Sequence, residues 1–234
     1  MDCLESLRRR KYSVTIVLMQ LIKPTTKKNH DVKFLQGNVI LVGMMGAGKT
    51  TIGKLLANYM GKTFVDSDHE IQQRTGVKIP LIFEIEGEVG FRRRETEVLH
   101  ELVQAENIVL ATGGGAVLSA ENRALLRQHG IVVYLSASVD ELQRRTRSDK
   151  NRPLLQTEDL HARLTELHAQ RDALYREAAH IIIDSGKQGV RSLVQRLARK
   201  LLFFKFKKLR AEALNRKKTA IKAYQSNNYE SQKG

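Results

Sequence analysis

The segment Gly43-Met44-Met45-Gly46-Ala47-Gly48-Lys49-Thr50 constrains this chain more than any other. It matches G-x-x-x-x-G-K-[ST] and stands between an apolar run, Asn38 to Val42, and a helical pattern, Thr50 to Met60. Only a strand–loop–helix unit can use such a motif. Glycines let the backbone curl until successive N–H groups converge on one anion. The following helix adds the positive end of its dipole. A lysine there neutralises β- and γ-phosphate charge, and a hydroxyl at the next position can bind Mg²⁺. The motif predicts binding of a nucleoside triphosphate through Gly46, Ala47, Gly48, Lys49 and Thr50.

The rest of the body fits that unit. Apolar runs at 63–66, 108–111, 132–135 and 180–183 read as further strands. Helical patterns separate them at 68–75, 79–86, 88–105, 119–129, 138–147 and 158–178. In the first helix, Ile52, Leu55, Leu56 and Tyr59 recur at helical spacing. Five strands with intervening helices predict a three-layer α/β/α domain built on a parallel sheet. Pro153 breaks the helical pattern and disfavours α conformation at Arg152, so 148–157 reads as a loop able to act as a mobile lid.

Charge separates the body from its ends. The formal charge of +15 suggests nucleic acid until it is divided along the chain. Residues 1–38 hold eight Lys/Arg against three Asp/Glu, residues 200–234 ten against two, and the stretch between 22 against 20. The predicted organisation is a basic N-terminal extension over 1–36, a catalytic domain over 37–202 and a basic C-terminal tail over 203–234. In the tail, Leu202, Phe206, Leu209 and Ala213 recur at helical spacing, but a frayed, solvated appendage is the favoured reading. Arg8-Arg9-Arg10-Lys11 precede the apolar stretch Val14 to Ile22, which is far short of the ~20 residues that span a bilayer. No small-residue cleavage site follows. With Cys3 as the single cysteine, a cytoplasmic location is expected.

A phosphate loop does not by itself separate kinases from GTPases or motors. The body is small for a motor, and no N-K-x-D-like segment reads guanine. Asp66-Ser67-Asp68 ends the second strand, and residues two apart share a face there. One carboxylate could hold Mg²⁺ through water and the other accept a hydroxyl proton, or Asp68 could simply cap the next helix. In Gly90-Phe91-Arg92-Arg93-Arg94-Glu95 the three arginines point about 100° apart, so they cannot all face one ligand. Glu95 lies one turn from Arg92 and could hold its guanidinium. An arginine fork suits a carboxylate ligand, while a solvated basic face is the plain alternative. Gly113-Gly114-Gly115 after the third strand allows close backbone approach to a ligand, or a flexible turn.

Taken in order, Gly-Ala-Gly-Lys-Thr-Thr at 46–51, Asp-Ser-Asp at 66–68, Gly-Glu…Phe-Arg-x-x-Glu at 87–95, the glycine triplet and Arg-Pro-Leu-Leu at 152–155 resemble shikimate kinases. The resemblance covers roughly residues 37–200. It implies a fold like that of nucleoside monophosphate kinases, with a lid. It also implies transfer of the ATP γ-phosphoryl group to the 3-hydroxyl of shikimate in aromatic amino-acid biosynthesis, by a monomer. By position, Thr51 would join the phosphate loop in binding ATP, Asp66 and Thr50 would serve Mg²⁺, and Asp68 would bind shikimate and act as base. Arg92 and Arg171 would grip the shikimate carboxylate, with Gly114 binding through its backbone. Arg152 would meet the phosphates and Arg145 would lie near adenine. The chain departs from the family's Arg-x-Pro-Leu-Tyr pattern at Ala173, and its long basic ends depart from the compact family norm. The rival readings are another small-metabolite kinase, such as a gluconate kinase, and a nucleic-acid binder that uses the tails.

Overall fold

The carboxyl ends of five parallel strands bring the sequence motifs to one edge of the molecule. A computed structural model describes residues 36–147, 153–186 and 189–231. The strands are β1 (Asn38–Val42), β2 (Thr63–Asp66), β3 (Ile108–Ala111), β4 (Gly130–Ser136) and β5 (Ile181–Asp184). They pair in the order β2-β3-β1-β4-β5, every pair parallel. β1 and β3 are buried along their whole length, which is why they read as unbroken apolar runs. The chain moves from β1 out to β2 on one side and later to β4 on the other, leaving a crevice beyond the strand ends at the switch.

Helices cover both faces: α1 (Lys49–Met60), α2 (Ser67–Thr75), α3 (Ile79–Leu102), α4 (Ala120–His129), α5 (Val139–Thr146), α6 (Leu160–Ala178) and α7 (Val190–Ser231). α1 buries Ile52, Gly53, Leu56, Ala57 and Met60, so the buried stripe is rotated from the predicted one and leaves Leu55 exposed. α3 is two helices joined at Gly87, whose φ of 67° and ψ of −177° break the α geometry. This is where the sequence patterns 79–86 and 88–105 meet. Ile71 of α2 packs with Ile82, Phe91 and Val98 of α3 into a small satellite core, bordered by Val77, Ile79, Phe83 and Leu102. That lobe stands beside the sheet crevice and carries one wall of the site.

The predicted lid falls partly outside the described residues, Arg152 with it. Its later part forms a 3-10 turn over Pro153–Leu155. The predicted N-terminal extension lies outside them too, apart from Gln36. The tail is not frayed: α7 runs unbroken from the body through residue 231. Among the described residues no helix is long and apolar enough to cross a membrane.

Candidate active site

Strand register assembles the site. Asp66 of β2 pairs with Ala111 of β3, which sets Asp66-Ser67-Asp68 alongside the triplet Gly113–Gly115. The Ser67 hydroxyl accepts a hydrogen bond from the Gly113 N–H at 2.9 Å and ties the two loops together. β1 lies on the other side of β3, with Leu41 opposite Ala111, so the phosphate loop enters the same crevice.

The loop is preformed. A Cβ at Gly43 would lie 2.6 Å from the Leu135 carbonyl oxygen, so only glycine lets the loop leave β1 beneath β4. Gly48, in the left-handed region, starts α1 without any side-chain cap, so no side chain occupies the anion-binding end of the helix. The Lys49 amine donates to the carbonyls of Gly43 at 2.8 Å and Met44 at 3.0 Å, which holds the cation over the loop. Ala47 is buried in the cradle, while Thr51 is exposed in the first turn of α1. Arg145 bridges the loop to the segment after β5, donating to the carbonyls of Gly46 at 3.3 Å and Ser185 at 2.8 Å. Glu141, one turn earlier, pairs with it at 2.6 Å.

Asp66, not Asp68, caps α2. Its Oδ1 accepts from the Asp68 and His69 N–H groups at 3.1 and 3.4 Å, and its Oδ2 accepts from the Thr50 hydroxyl at 2.8 Å. The cap holds a carboxylate and a hydroxyl together at the mouth of the phosphate loop, and such hard oxygen donors suit Mg²⁺. Among the described residues no cluster of three His, Cys, Asp or Glu could hold a metal alone. A pair of oxygen donors at a phosphate site still fits an ion that takes its other ligands from phosphate and water.

Asp68 lines a cavity of about 310 Å³ together with Met45, Arg92, Glu95, the glycine triplet, Leu154 and Arg171. Ile79, Phe83 and Phe91 give it an apolar wall. Arg92 is held by its own helix: Nη1 lies 2.7 Å from Glu95 and Nη2 2.8 Å from Glu88. A Cβ at Gly115 would sit 2.2 Å from the Arg92 guanidinium, so the triplet is glycine there because the arginine lies flat against its backbone. Of the three consecutive arginines only Arg92 faces the cavity; Arg94 pairs with Glu86 at 2.7 Å.

Arg171 is the most unusual group. It is 2% exposed, yet among the described residues its Nε and Nη1 have no hydrogen-bond partner. Burial and the nearby Arg92 cation pull its affinity for the proton down. A buried cation with two free donors is a receptor for an anion. Tyr175, one turn later, also hydrogen-bonds Arg171, donates to the Gly114 carbonyl and stacks on Tyr134 at 4.9 Å. Sequence reading passed over Tyr175, although its i+4 spacing from Arg171 puts both on one face. Ala173 leaves α6 an uninterrupted helix through this turn.

Glu95 is fully buried. Burial pushes its carboxyl up to about 7 against the pull of Arg92, and the neighbouring Asp68 adds to the rise. The folded protein therefore binds a proton more tightly than the unfolded chain, so the stability Glu95 contributes is full below about 4.5 and is lost as pH rises through about 7. Glu95→Gln should flatten the fall in melting temperature over that window. Parallel profiles for the two proteins would contradict the assignment.

Known proteins resemble this chain over most of its body. The shikimate kinase family matches residues 45–202. A shikimate kinase of Nitrosomonas europaea is 67% identical over 183 residues, covering 78% of this chain and 87% of that protein. The chain belongs to the shikimate kinase family. A second shikimate kinase, of Nitrosospira multiformis, is 68% identical over 70% of this chain and 85% of its own length. Among solved structures, shikimate kinase from Acinetobacter baumannii in complex with shikimate is 51% identical, with a TM-score of 0.71, covering 75% of this chain and 97% of that one. As a shikimate kinase family member the chain is an ATP-dependent kinase, and the expected five-stranded α/β fold is present. Of the site residues expected from sequence, Asp68, Arg92, Gly114 and Arg171 share one cavity. Lys49, Thr50, Asp66 and Arg145 meet at the phosphate loop beside it.

Proposed function

We propose that this chain transfers the γ-phosphoryl group of ATP to the 3-hydroxyl of shikimate, giving 3-phosphoshikimate and ADP. The observation that carries this reading is the polarity of one cavity. Arg171, a buried guanidinium with two free donors, and Arg92 offer a carboxylate receptor, and Asp68 offers a carboxylate to a hydroxyl. A small hydroxylated acid uses both features, and the apolar wall of Ile79, Phe83 and Phe91 suits the face of a carbocyclic ring.

The chemistry follows from positions. Asp68 accepts the proton of the substrate hydroxyl as its oxygen attacks the γ-phosphorus in line, and the bond from that phosphorus to the β–γ bridging oxygen breaks. The developing charge on the transferred group meets the Lys49 ammonium and the N-terminal end of α1. Thr50 and Asp66 would hold Mg²⁺, which when bound neutralises phosphate charge. Leu154, in the described part of the lid, already lines the cavity. Arg152, two residues earlier, would reach the phosphates when the lid closes and excludes water.

Arg92→Ala separates the two substrates. The shikimate KM should rise about ten- to a hundredfold through loss of a charge-assisted contact, with the KM for ATP nearly unchanged. Equal rises in both constants, measured in a coupled ADP-release assay, would contradict the assigned role.

A further inference from the structure

The apolar stripe of α7 changes sides. Over its first turns Leu193, Val194, Leu197, Ala198 and Leu201 are buried against the body. Leu202 and Phe204 follow half-buried, while Phe203, two positions beyond Leu201 and therefore about 200° around the helix, is exposed. From there Phe203 (71% exposed), Phe206 (44%), Leu209 (48%) and Leu214 (54%) form an exposed apolar face, with Phe203, Phe206 and Leu214 opposite the buried residues and Leu209 at its edge. The turn comes where the family match ends, at residue 202. Nothing in the phosphoryl-transfer site needs it.

Charge decides what such a face can meet. From Phe203 to Tyr229 the sequence holds eight Lys/Arg and one acidic residue, Glu212. Lys207, Lys208, Arg210 and Arg216 are exposed, and none forms an ion pair among the described residues. A second copy laid on the stripe would bring eight more cations against the first eight, which disfavours self-association. Nucleic acid would satisfy the cations but gives little shelter to a row of phenylalanine and leucine. A helix with an apolar face, basic flanks and no capacity to span a bilayer suits an interface that is anionic outside and hydrocarbon within.

We propose that the α7 face bearing Phe203, Phe206, Leu209 and Leu214 docks on an anionic lipid surface. The helix lies in the interface plane, with its apolar side chains among the acyl chains and its lysines and arginines against the headgroup phosphates.

The chain has no tryptophan, so Phe206→Trp creates a single emitter on the stripe of the full-length protein. It is titrated with vesicles of phosphatidylcholine alone or mixed with phosphatidylserine. The expected result is a blue shift on the mixed vesicles only, reversed at high salt. Adding Phe203→Ser and Leu209→Ser should weaken partitioning about tenfold or more while vesicle-free kinase turnover stays unchanged. No shift on either vesicle would overturn the proposal. So would equal shifts on both, or insensitivity to the serine substitutions. A shift with duplex oligonucleotide instead of vesicles, or one that grows with protein concentration alone, would assign the face to nucleic acid or to a second copy.

Discussion

Lys49→Met is expected to lower kcat by about a thousandfold or more, the scale of removing a cation that meets the moving phosphoryl group. The fold should survive. The Lys49 amine donates to the carbonyls of Gly43 and Met44, and methionine keeps most of the buried stem. Circular dichroism and thermal melts should therefore match the unmodified protein while ADP release collapses. A variant that melts normally and turns over at full rate would overturn the phosphate-loop assignment. One that fails to fold would mean the lysine is needed to close the loop on itself.

The second large effect has two opposite signs. Arg171→Met should raise the shikimate KM about a hundredfold or more, since a buried, forked donor pair loses its anion. The same substitution should raise the stability of the ligand-free protein by about 1–2 kcal/mol, because a desolvated cation with unpartnered donors is replaced by an apolar chain. Shikimate then stabilises the unmodified protein against heat but leaves the variant's melting temperature almost unmoved. If Arg171→Met instead destabilised the protein while leaving the shikimate KM intact, the arginine would be a structural brace for Tyr175 and not a receptor.

How much of this was legible in the sequence depended on distance along the chain. β1, β2 and β3 have the bounds their apolar runs predicted; for β1 and β3 this is because a buried parallel strand needs little beyond such a run and a turn after it, whereas β2 is a partly exposed strand. The phosphate loop was legible because its residues are contiguous. Arg92 could be assigned a ligand only through family resemblance. The reason it faces the cavity lies in a contact with Gly115, far along the chain and brought near by strand pairing. Asp66 as the cap of α2 was missed because both carboxylates fit the local pattern, and only the folded backbone, which turns the Asp68 and His69 N–H groups to Asp66, decides between them. The α7 stripe was seen as a period but not as a reversal, since spacing does not say which face the body covers.

The central claim is that the cavity between Arg171 and Asp68 selects shikimate as phosphoryl acceptor. The most direct measurement is ADP release from Mg-ATP with shikimate, with gluconate, with a nucleoside monophosphate and with no acceptor. Strong stimulation by shikimate is expected, with background rates for the others. Turnover with gluconate or a nucleoside monophosphate and none with shikimate would contradict it, leaving a phosphate-loop kinase whose cavity reads another hydroxyl.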